Sequence, residues 1–209
     1  MTNYSLTFDN VTKTFGRRLI FKDINCKLNN GKVYGFAGRN GSGKSTIIKI
    51  SAGIISPTTG LVIHQNEDKK IISDKIFSKL GFVSPYLTLY DEFTAYENLY
   101  HFSRIRGIPF NKDRANFLLN KFELLNRKND YLKGYSSGMK QRMKFIFALL
   151  HQPNLLLLDE PTSNLDTFGK DKVYEIIKME AKNNLVIIAS NEENDLALCD
   201  EIIEIEKFK

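Results

Sequence analysis

The most informative segment of this 209-residue chain is Gly38-Arg39-Asn40-Gly41-Ser42-Gly43-Lys44-Ser45. It follows an apolar run at residues 33–37 that predicts a buried strand, and it precedes residues 45–52, whose pattern predicts a helix. Glycines at this spacing let the backbone curl, so that successive N–H groups point at an anion, and the N-terminus of the helix adds partial positive charge. The segment therefore fits the pattern of a phosphate-binding loop in its expected strand–loop–helix context.

The loop pattern assigns roles to individual residues. We expect the whole run from Gly38 to Thr46 to surround the phosphates of a nucleotide. Lys44 is predicted to reach the terminal phosphates, and the Ser45 hydroxyl is predicted to ligate Mg²⁺. The alternative is a glycine-rich structural turn without a ligand, which the flanking strand and helix disfavour.

A second segment supplies the carboxylates that a magnesium–nucleotide site needs. Residues 155–158 are four consecutive leucines, as expected for a strand buried on both faces, and Asp159 and Glu160 follow directly. Asp159 is predicted to hold the metal, usually through water, and Glu160 is placed to take a proton from an attacking water. The alternative is that the acidic pair simply ends a strand with a polar turn before Pro161.

The order of predicted elements indicates an α/β fold. Strand patterns alternate with helices before residue 85 and again after Pro153, which implies a largely parallel sheet covered on both faces. Residues 86–150 are instead helical in pattern, with predicted N-caps at Thr94, Asn111 and Ser136. We therefore expect a single domain over residues 1–209. Its nucleotide-binding core would comprise 1–85 and 151–209, with 86–150 as an inserted helical subdomain.

Composition narrows the functional classes. The net charge of +6 is uneven, with +8 in residues 1–85, +5 in 86–150 and −7 in 151–209. A nucleic-acid surface is one explanation, but a fold that mixes these segments in space explains the asymmetry as well, and no nucleic-acid partner is expected. The two cysteines share no motif, and the longest apolar run, residues 145–150, is too short to cross a bilayer. Because the first ten residues also lack the pattern of a secretion signal, we expect a cytoplasmic protein.

Three further segments identify a family resemblance that extends over essentially the full chain. The run Tyr135-Ser136-Ser137-Gly138-Met139-Lys140-Gln141-Arg142 resembles the LSGGQ signature of ATP-binding cassette (ABC) transporter subunits. The run Ser163-Asn164-Leu165-Asp166 resembles the D-loop of the same family. Phe15 stands where the family has an aromatic residue that stacks on adenine, although a core position is the alternative for a lone phenylalanine.

The resemblance implies a P-loop NTPase of the ABC ATPase fold, with a mostly parallel sheet, an antiparallel β part near the N-terminus and the inserted helical subdomain. It implies ATP and Mg²⁺ as ligands, sandwiched between two cassettes that face each other head to tail, most simply as a homodimer. Ser136, Ser137 and Gly138 of one cassette, with Asp166 of the D-loop, would complete the site of the other. It also implies integral membrane permease subunits as partners and a peripheral location at the cytoplasmic face of the membrane.

The sequence departs from the family pattern at three positions. Pro85 occupies the place of a glutamine that touches Mg²⁺ and water, and proline offers no polar side-chain group. Asn191 occupies the place of the switch histidine, and an amide cannot take a proton. Ser137 replaces the first glycine of the signature. Because Lys44 and Glu160 remain, we predict slow rather than absent hydrolysis.

The chain has three histidines, and none of them lies near the switch position that Asn191 occupies. Of these, His151 ends the signature helix, where we expect a solvated helix cap. The departures keep two other functional classes open, a non-hydrolysing nucleotide-gated module and a soluble cassette ATPase that acts on DNA or ribosomes. Lys44 and Asp159 are 115 residues apart with no sustained heptads between them, which favours the transporter type.

The form of the signature and the compact ending at Lys209 resemble exporter-type or permease-linked cassettes, with a haem-exporter-like cassette as one possibility.

Overall fold

The computed structural model describes residues 3–67 and 69–209, apart from the side chains of Ser73 and Asp74. Its strands are β1 Tyr4–Phe15, β2 Arg18–Asn29, β3 Val33–Ala37, β4 Thr59–Asn66, β5 Lys69–Lys70, β6 Leu80–Val83, β7 Leu155–Asp159, β8 Leu185–Ser190 and β9 Glu201–Glu204. Its α-helices are α1 Lys44–Ser51, α2 Ser73–Ile76, α3 Ala95–Ile105, α4 Lys112–Lys121, α5 Ser137–Leu149, α6 Thr167–Ala181 and α7 Glu193–Leu196.

The N-terminal part is an antiparallel sheet in the order β2-β1-β4-β5. Strand β1 places Leu6 opposite Leu28 of β2 and opposite His64 of β4. Leu6 and Phe8 are two residues apart and both are buried, because side chains two positions apart lie on the same face of a strand. This sheet shares one apolar cluster with helix α1 and one face of the second sheet.

The second sheet is parallel and follows the order β6-β7-β8-β3-β9. Strands β3, β7 and β8 are buried along their whole length, as their continuous apolar runs require when both faces are covered. Their register pairs Ala37 with Ser190 and Asp159 with Ala189. The residues that follow β3, β7 and β8 therefore meet at one edge of the sheet, where open α/β sheets bind ligands.

Helices α3, α4 and α5 lie between β6 and β7 in the sequence, as predicted. The three predicted N-caps are confirmed: Thr94 and Glu97 form a reciprocal capping box, and the side chains of Asn111 and Ser136 accept from the backbone of their own helices. Apolar residues of these helices join one cluster with the other face of the parallel sheet. This shared cluster positions the start of α5 relative to the sheet.

His151 corrects one expectation. Its imidazole is half-buried, with Nε2 2.9 Å from the Leu80 carbonyl oxygen and 3.0 Å from Nη1 of Arg106. Burial lowers the pKa of His151 to about 4, and the Arg106 charge acts in the same direction. The prediction of a solvated helix cap was wrong, because the end of α5 packs against the start of β6.

No helix in the described part of the chain is both long enough and apolar enough to cross a bilayer.

Candidate nucleotide-binding site

The loop between β3 and α1 depends on glycine at specific positions. Gly38, Gly41 and Gly43 have φ values of 153°, 77° and 116°, a region of backbone conformation that favours glycine. A Cβ atom on Gly38 would lie 2.6 Å from Ser42 Oγ, and one on Gly43 would lie 2.6 Å from Ile20 Cγ2. The loop can therefore keep this curl only with glycine at these two positions.

Lys44 lies across the inside of this loop. Its side chain is buried, and Nζ donates to the carbonyl oxygens of Gly38 at 2.8 Å and Arg39 at 3.3 Å. The same ammonium lies 3.7 Å from Glu160 Oε1. Ser42 Oγ is buried inside the loop and has no hydrogen-bond partner among the described residues. The loop thus presents a fixed positive charge and an unused hydroxyl, both suited to binding phosphate oxygens.

Ser45 and Asp159 meet at the beginning of α1. Ser45 Oγ donates to Asp159 Oδ1 at 2.9 Å, while the buried Oδ2 has no partner within the described chain. Burial raises the pKa of Asp159, an effect opposed by the Ser45 hydrogen bond and the charges of Lys49 and Lys44. A hydroxyl and a carboxylate with a free oxygen are the hard ligands that Mg²⁺ prefers, so these residues fit that ion.

Glu160 follows β7 in an unusual backbone conformation. Its φ is 48°, in the left-handed region, and its N–H donates to the Ala189 carbonyl oxygen at 2.9 Å. Such strain is often found at functional sites, where the surrounding structure imposes it. Burial raises the pKa of the Glu160 carboxyl, while the Lys44 charge acts in the opposite direction.

These groups open onto one cleft of about 580 Å³. The predicted site residues that line it are Phe15, Asn40, Gly41, Gly43, Lys44, Ser45, Thr46, Asp159, Glu160 and Asn191. Gly38 and Arg39 line an adjoining hollow, which Asn40 and Asn191 share. The structure therefore brings together side chains from the ends of three parallel strands, with Phe15 at the rim contributed by the antiparallel sheet.

Four predicted residues lie away from this cleft in the described chain: Ser136, Ser137, Gly138 and Asp166. Ser136 Oγ accepts from the Met139 N–H at 3.2 Å as the N-cap of α5. Asp166 accepts from the Gly169 N–H at 2.8 Å as the N-cap of α6. Within one chain, the observed role of Ser136 and Asp166 is helix capping.

Phe15 stands at the rim of the cleft, and 52% of its surface is exposed. The Lys13 ammonium lies 4.8 Å from the centre of its ring. The alternative of a core phenylalanine does not hold, because the ring is half in solvent.

The comparisons with known proteins agree with this geometry. A protein-family model described as "ABC transporter" matches residues 21–163. The chain belongs to the ABC transporter family. It is 35% identical to the lantibiotic transport ATP-binding protein SrtF of Streptococcus pyogenes, over 89% of this chain and 79% of that protein. It is 33% identical to the bacitracin transport ATP-binding protein BcrA of Enterococcus faecalis, over 90% of this chain and 61% of that protein.

Solved structures agree with the predicted ABC ATPase fold. A Pyrococcus furiosus structure described as an ABC transporter ATP-binding protein superposes with a TM-score of 0.84 at 25% identity, covering 98% of this chain and 99% of that one. A bacterial Atm1-family ABC exporter with ATP bound has a TM-score of 0.83 at 21% identity, covering 96% of this chain and 36% of that one. The α/β P-loop fold predicted from the sequence is confirmed, and the protein is an ATP-binding subunit of the ABC transporter type.

The sequence did not predict some of the residues in and around the nucleotide-binding cleft. Arg18 and Ile20 of β2 line the cleft, but nothing in a strand pattern distinguishes them from neighbouring residues. Asp195, a buried carboxylate, accepts from the hydroxyls of Thr162 at 2.8 Å and Ser190 at 2.7 Å. It ties the segment after Glu160 to the end of β8, and a single acidic residue in a polar run gives no signal of this.

Proposed function

We propose that this protein binds Mg-ATP in the cleft and hydrolyses it slowly to drive an ABC transporter. The observation that carries the proposal is the pairing of Ser45 with the buried Asp159, because it joins the phosphate-binding loop to the carboxylate strand at a site suited to Mg²⁺. Lys44 and Glu160 lie beside the pair, 3.7 Å from each other. Gly38 to Thr46 are the residues that we assign to nucleotide binding.

The chemistry divides among the residues of this chain. The N–H groups of the loop and the Lys44 ammonium would neutralise charge that develops on the terminal phosphate. Mg²⁺, held by Ser45 and Asp159, would supply further positive charge. Glu160 would accept the proton of an attacking water.

Two residues of the cleft support a slow rate of ATP hydrolysis. Asn191 can hold a phosphate oxygen or a water through its amide, but it cannot take or give a proton. Pro85 lines the cleft without any polar side-chain group. The same two residues favour a second candidate function, a nucleotide-gated module that closes on ATP without hydrolysing it.

We further propose that two copies close over ATP, at the cytoplasmic face of a membrane, under permease subunits. The placement of Ser136, Ser137 and Gly138 away from their own cleft supports this arrangement, since they can then cover the cleft of a second copy. A helix N-terminus, here that of α5, is a ready anion site. Within the cassette, residues 86–150 would form the helical subdomain that carries this signature.

The assembly is tested by light scattering on Glu160→Gln, which keeps the phosphate-binding loop but lacks the proton acceptor. We expect this variant to be monomeric without nucleotide and dimeric with Mg-ATP, whereas Lys44→Ala should stay monomeric in both conditions. A Glu160→Gln protein that stays monomeric at saturating ATP would contradict the two-cassette arrangement. Co-purification with a multi-span membrane protein tests the transporter role, and a partner found on DNA or ribosomes instead would overturn it.

A further inference from the structure

The loop after β6 forms one wall of the nucleotide cleft. The parallel register pairs Val83 of β6 with Leu158 of β7, so Ser84 lies level with Asp159. Ser84 is buried, and the next two residues, Pro85 and Tyr86, line the cleft. A displacement of this loop therefore changes the surroundings of the proposed metal aspartate.

Lys144 reaches this loop from α5. It lies in the middle of the helix, half-buried, and its Nζ donates to the carbonyl oxygens of Ser84 at 3.1 Å and Pro85 at 2.9 Å. The Leu87 N–H also donates to the Ser84 oxygen, at 3.1 Å. Hydrogen bonds from an ammonium are stronger than neutral ones, and this ammonium makes two on consecutive residues.

The identity of residue 85 explains why a cation on α5 matters at this point. Proline has neither an N–H nor a polar side chain, so its carbonyl oxygen is the one polar group that it can offer to a neighbouring element. The Lys144 ammonium takes that oxygen and the preceding one. Withdrawal from water lowers the pKa of Lys144, which agrees with an ammonium enclosed between the helix and the loop.

We propose that Lys144 is a positioning residue that couples the signature helix to the nucleotide cleft by holding the backbone of Ser84 and Pro85. A shift of α5 would move this wall of the cleft relative to Asp159 and Glu160. The inference rests on the proposed ATP hydrolysis for its kinetic consequence, but the physical link can be tested without hydrolysis.

The nucleotide itself is held mainly by other elements. The phosphate-binding loop, α1 and β7 supply the proposed phosphate and metal contacts, none of which involves Lys144. Loss of Lys144 is therefore expected to leave the KM for ATP nearly unchanged and to lower kcat, because misplaced catalytic groups reduce turnover more than binding.

The kinetic test compares three variants. Lys144→Met keeps the aliphatic stem without the charge, and Lys144→Arg restores a cation. Arg114→Met is the matched control, since Arg114 of α4 donates to the carbonyl oxygen of Leu149 at 3.1 Å, at the C-terminal end of α5. We expect Lys144→Met to lower kcat by about tenfold while KM stays within about twofold of the parent value. Lys144→Arg should recover at least about half of the parent kcat. Arg114→Met should lower only the melting temperature.

Two kinetic results would overturn the proposal: an unchanged kcat in Lys144→Met, or an equal loss of kcat in Arg114→Met. The second would mean that losing any cation that bonds to α5 or extends from it has the same effect through stability alone.

A hydrogen-exchange experiment in the Glu160→Gln background separates this inference from the proposed function. With Lys144 present, Mg-ATP is expected to slow exchange both in residues 84–90 and in residues 143–149 of α5, beyond the first turn that a second copy would cover. With Lys144→Met added, the response in α5 should be lost while that in 84–90 remains. The same response in both proteins would contradict the coupling, whether or not the parent chain hydrolyses ATP.

Discussion

Ser45 Oγ donates a hydrogen bond to Asp159 Oδ1 at 2.9 Å, although the two residues are 114 positions apart in the sequence. The contact links the first turn of α1 to the end of β7. The second carboxylate oxygen of Asp159 is buried and has no partner in the described chain. The hydrogen bond therefore fixes the position of the carboxylate and leaves one of its oxygens available to bind a metal ion. Most of the proposed chemistry depends on this junction.

The first prediction concerns the Ser45 hydroxyl. Replacing it in Ser45→Ala removes one proposed metal ligand, so the affinity for ATP in the presence of Mg²⁺ should fall by about tenfold or more. Affinity measured in EDTA should change little. Isothermal titration calorimetry with and without Mg²⁺ measures both values.

The matched control for this prediction is Ser51→Ala on the same helix. The Ser51 hydroxyl is buried and donates to the Ile47 carbonyl oxygen at 2.8 Å, away from the cleft. Ser51→Ala should keep the Mg²⁺ effect on affinity. If the two alanine variants lose Mg²⁺-dependent affinity equally, Ser45 is not a metal ligand.

The second prediction separates recognition of the base from recognition of the phosphates. Phe15→Ala removes the exposed ring at the rim of the cleft, so ATP binding should weaken by about 1–3 kcal/mol, the usual range for stacking on an aromatic residue. Binding of inorganic tripolyphosphate should be unchanged. Phe117→Ala, a change at a similarly exposed ring on α4, serves as control and should affect neither ligand.

The third prediction concerns stability in acid. Burial lowers the pKa of His64 from 6.5 to about 4, and its Nδ1 lies 2.8 Å from the Tyr4 hydroxyl. The folded state thus favours neutral His64, and this stability is present above pH 6.5 and is lost as the pH falls towards 4. Between pH 7.5 and pH 5 we expect His64 to account for a loss of about 2 kcal/mol in the free energy of unfolding.

Denaturant unfolding of His64→Gln at both pH values measures this contribution. The variant should show a smaller loss on acidification than the parent, although His151 still contributes in the same direction. His101→Gln, at an exposed position on α3, should keep the full pH dependence. A pH dependence in His64→Gln equal to that of the parent would contradict the assignment.

Local signals in the sequence were sufficient for part of the fold. Gly38, Gly41 and Gly43 mark a loop whose backbone conformation favours glycine, and Thr94, Asn111 and Ser136 mark helix starts through short-range hydrogen bonds. The leucine run before Asp159 likewise predicts a buried strand with a carboxylate at its end. These features depend on a few consecutive residues, so they can be recognised without the structure.

Other features depend on contacts between distant segments. In the sequence, nothing distinguishes Lys144 from other polar residues of a helix. In the structure it donates hydrogen bonds to the carbonyl oxygens of Ser84 and Pro85, which lie 60 and 59 positions earlier. The hydrogen-bond partners of His151 are Leu80 and Arg106. Those of Asp195 include Thr162 and Ser190. Such partners are set by the tertiary packing, so a pattern within one segment does not reveal them.

The most direct test of the proposed function is phosphate release by the purified protein with Mg-ATP, measured beside Glu160→Gln. Both proteins should bind ATP with affinities within about twofold of each other, because Glu160 is assigned to proton transfer rather than to binding. The parent should release phosphate slowly but about a hundredfold faster than the variant, the usual contribution of a general base. Equal rates in the two proteins at saturating Mg-ATP would contradict hydrolysis through Glu160.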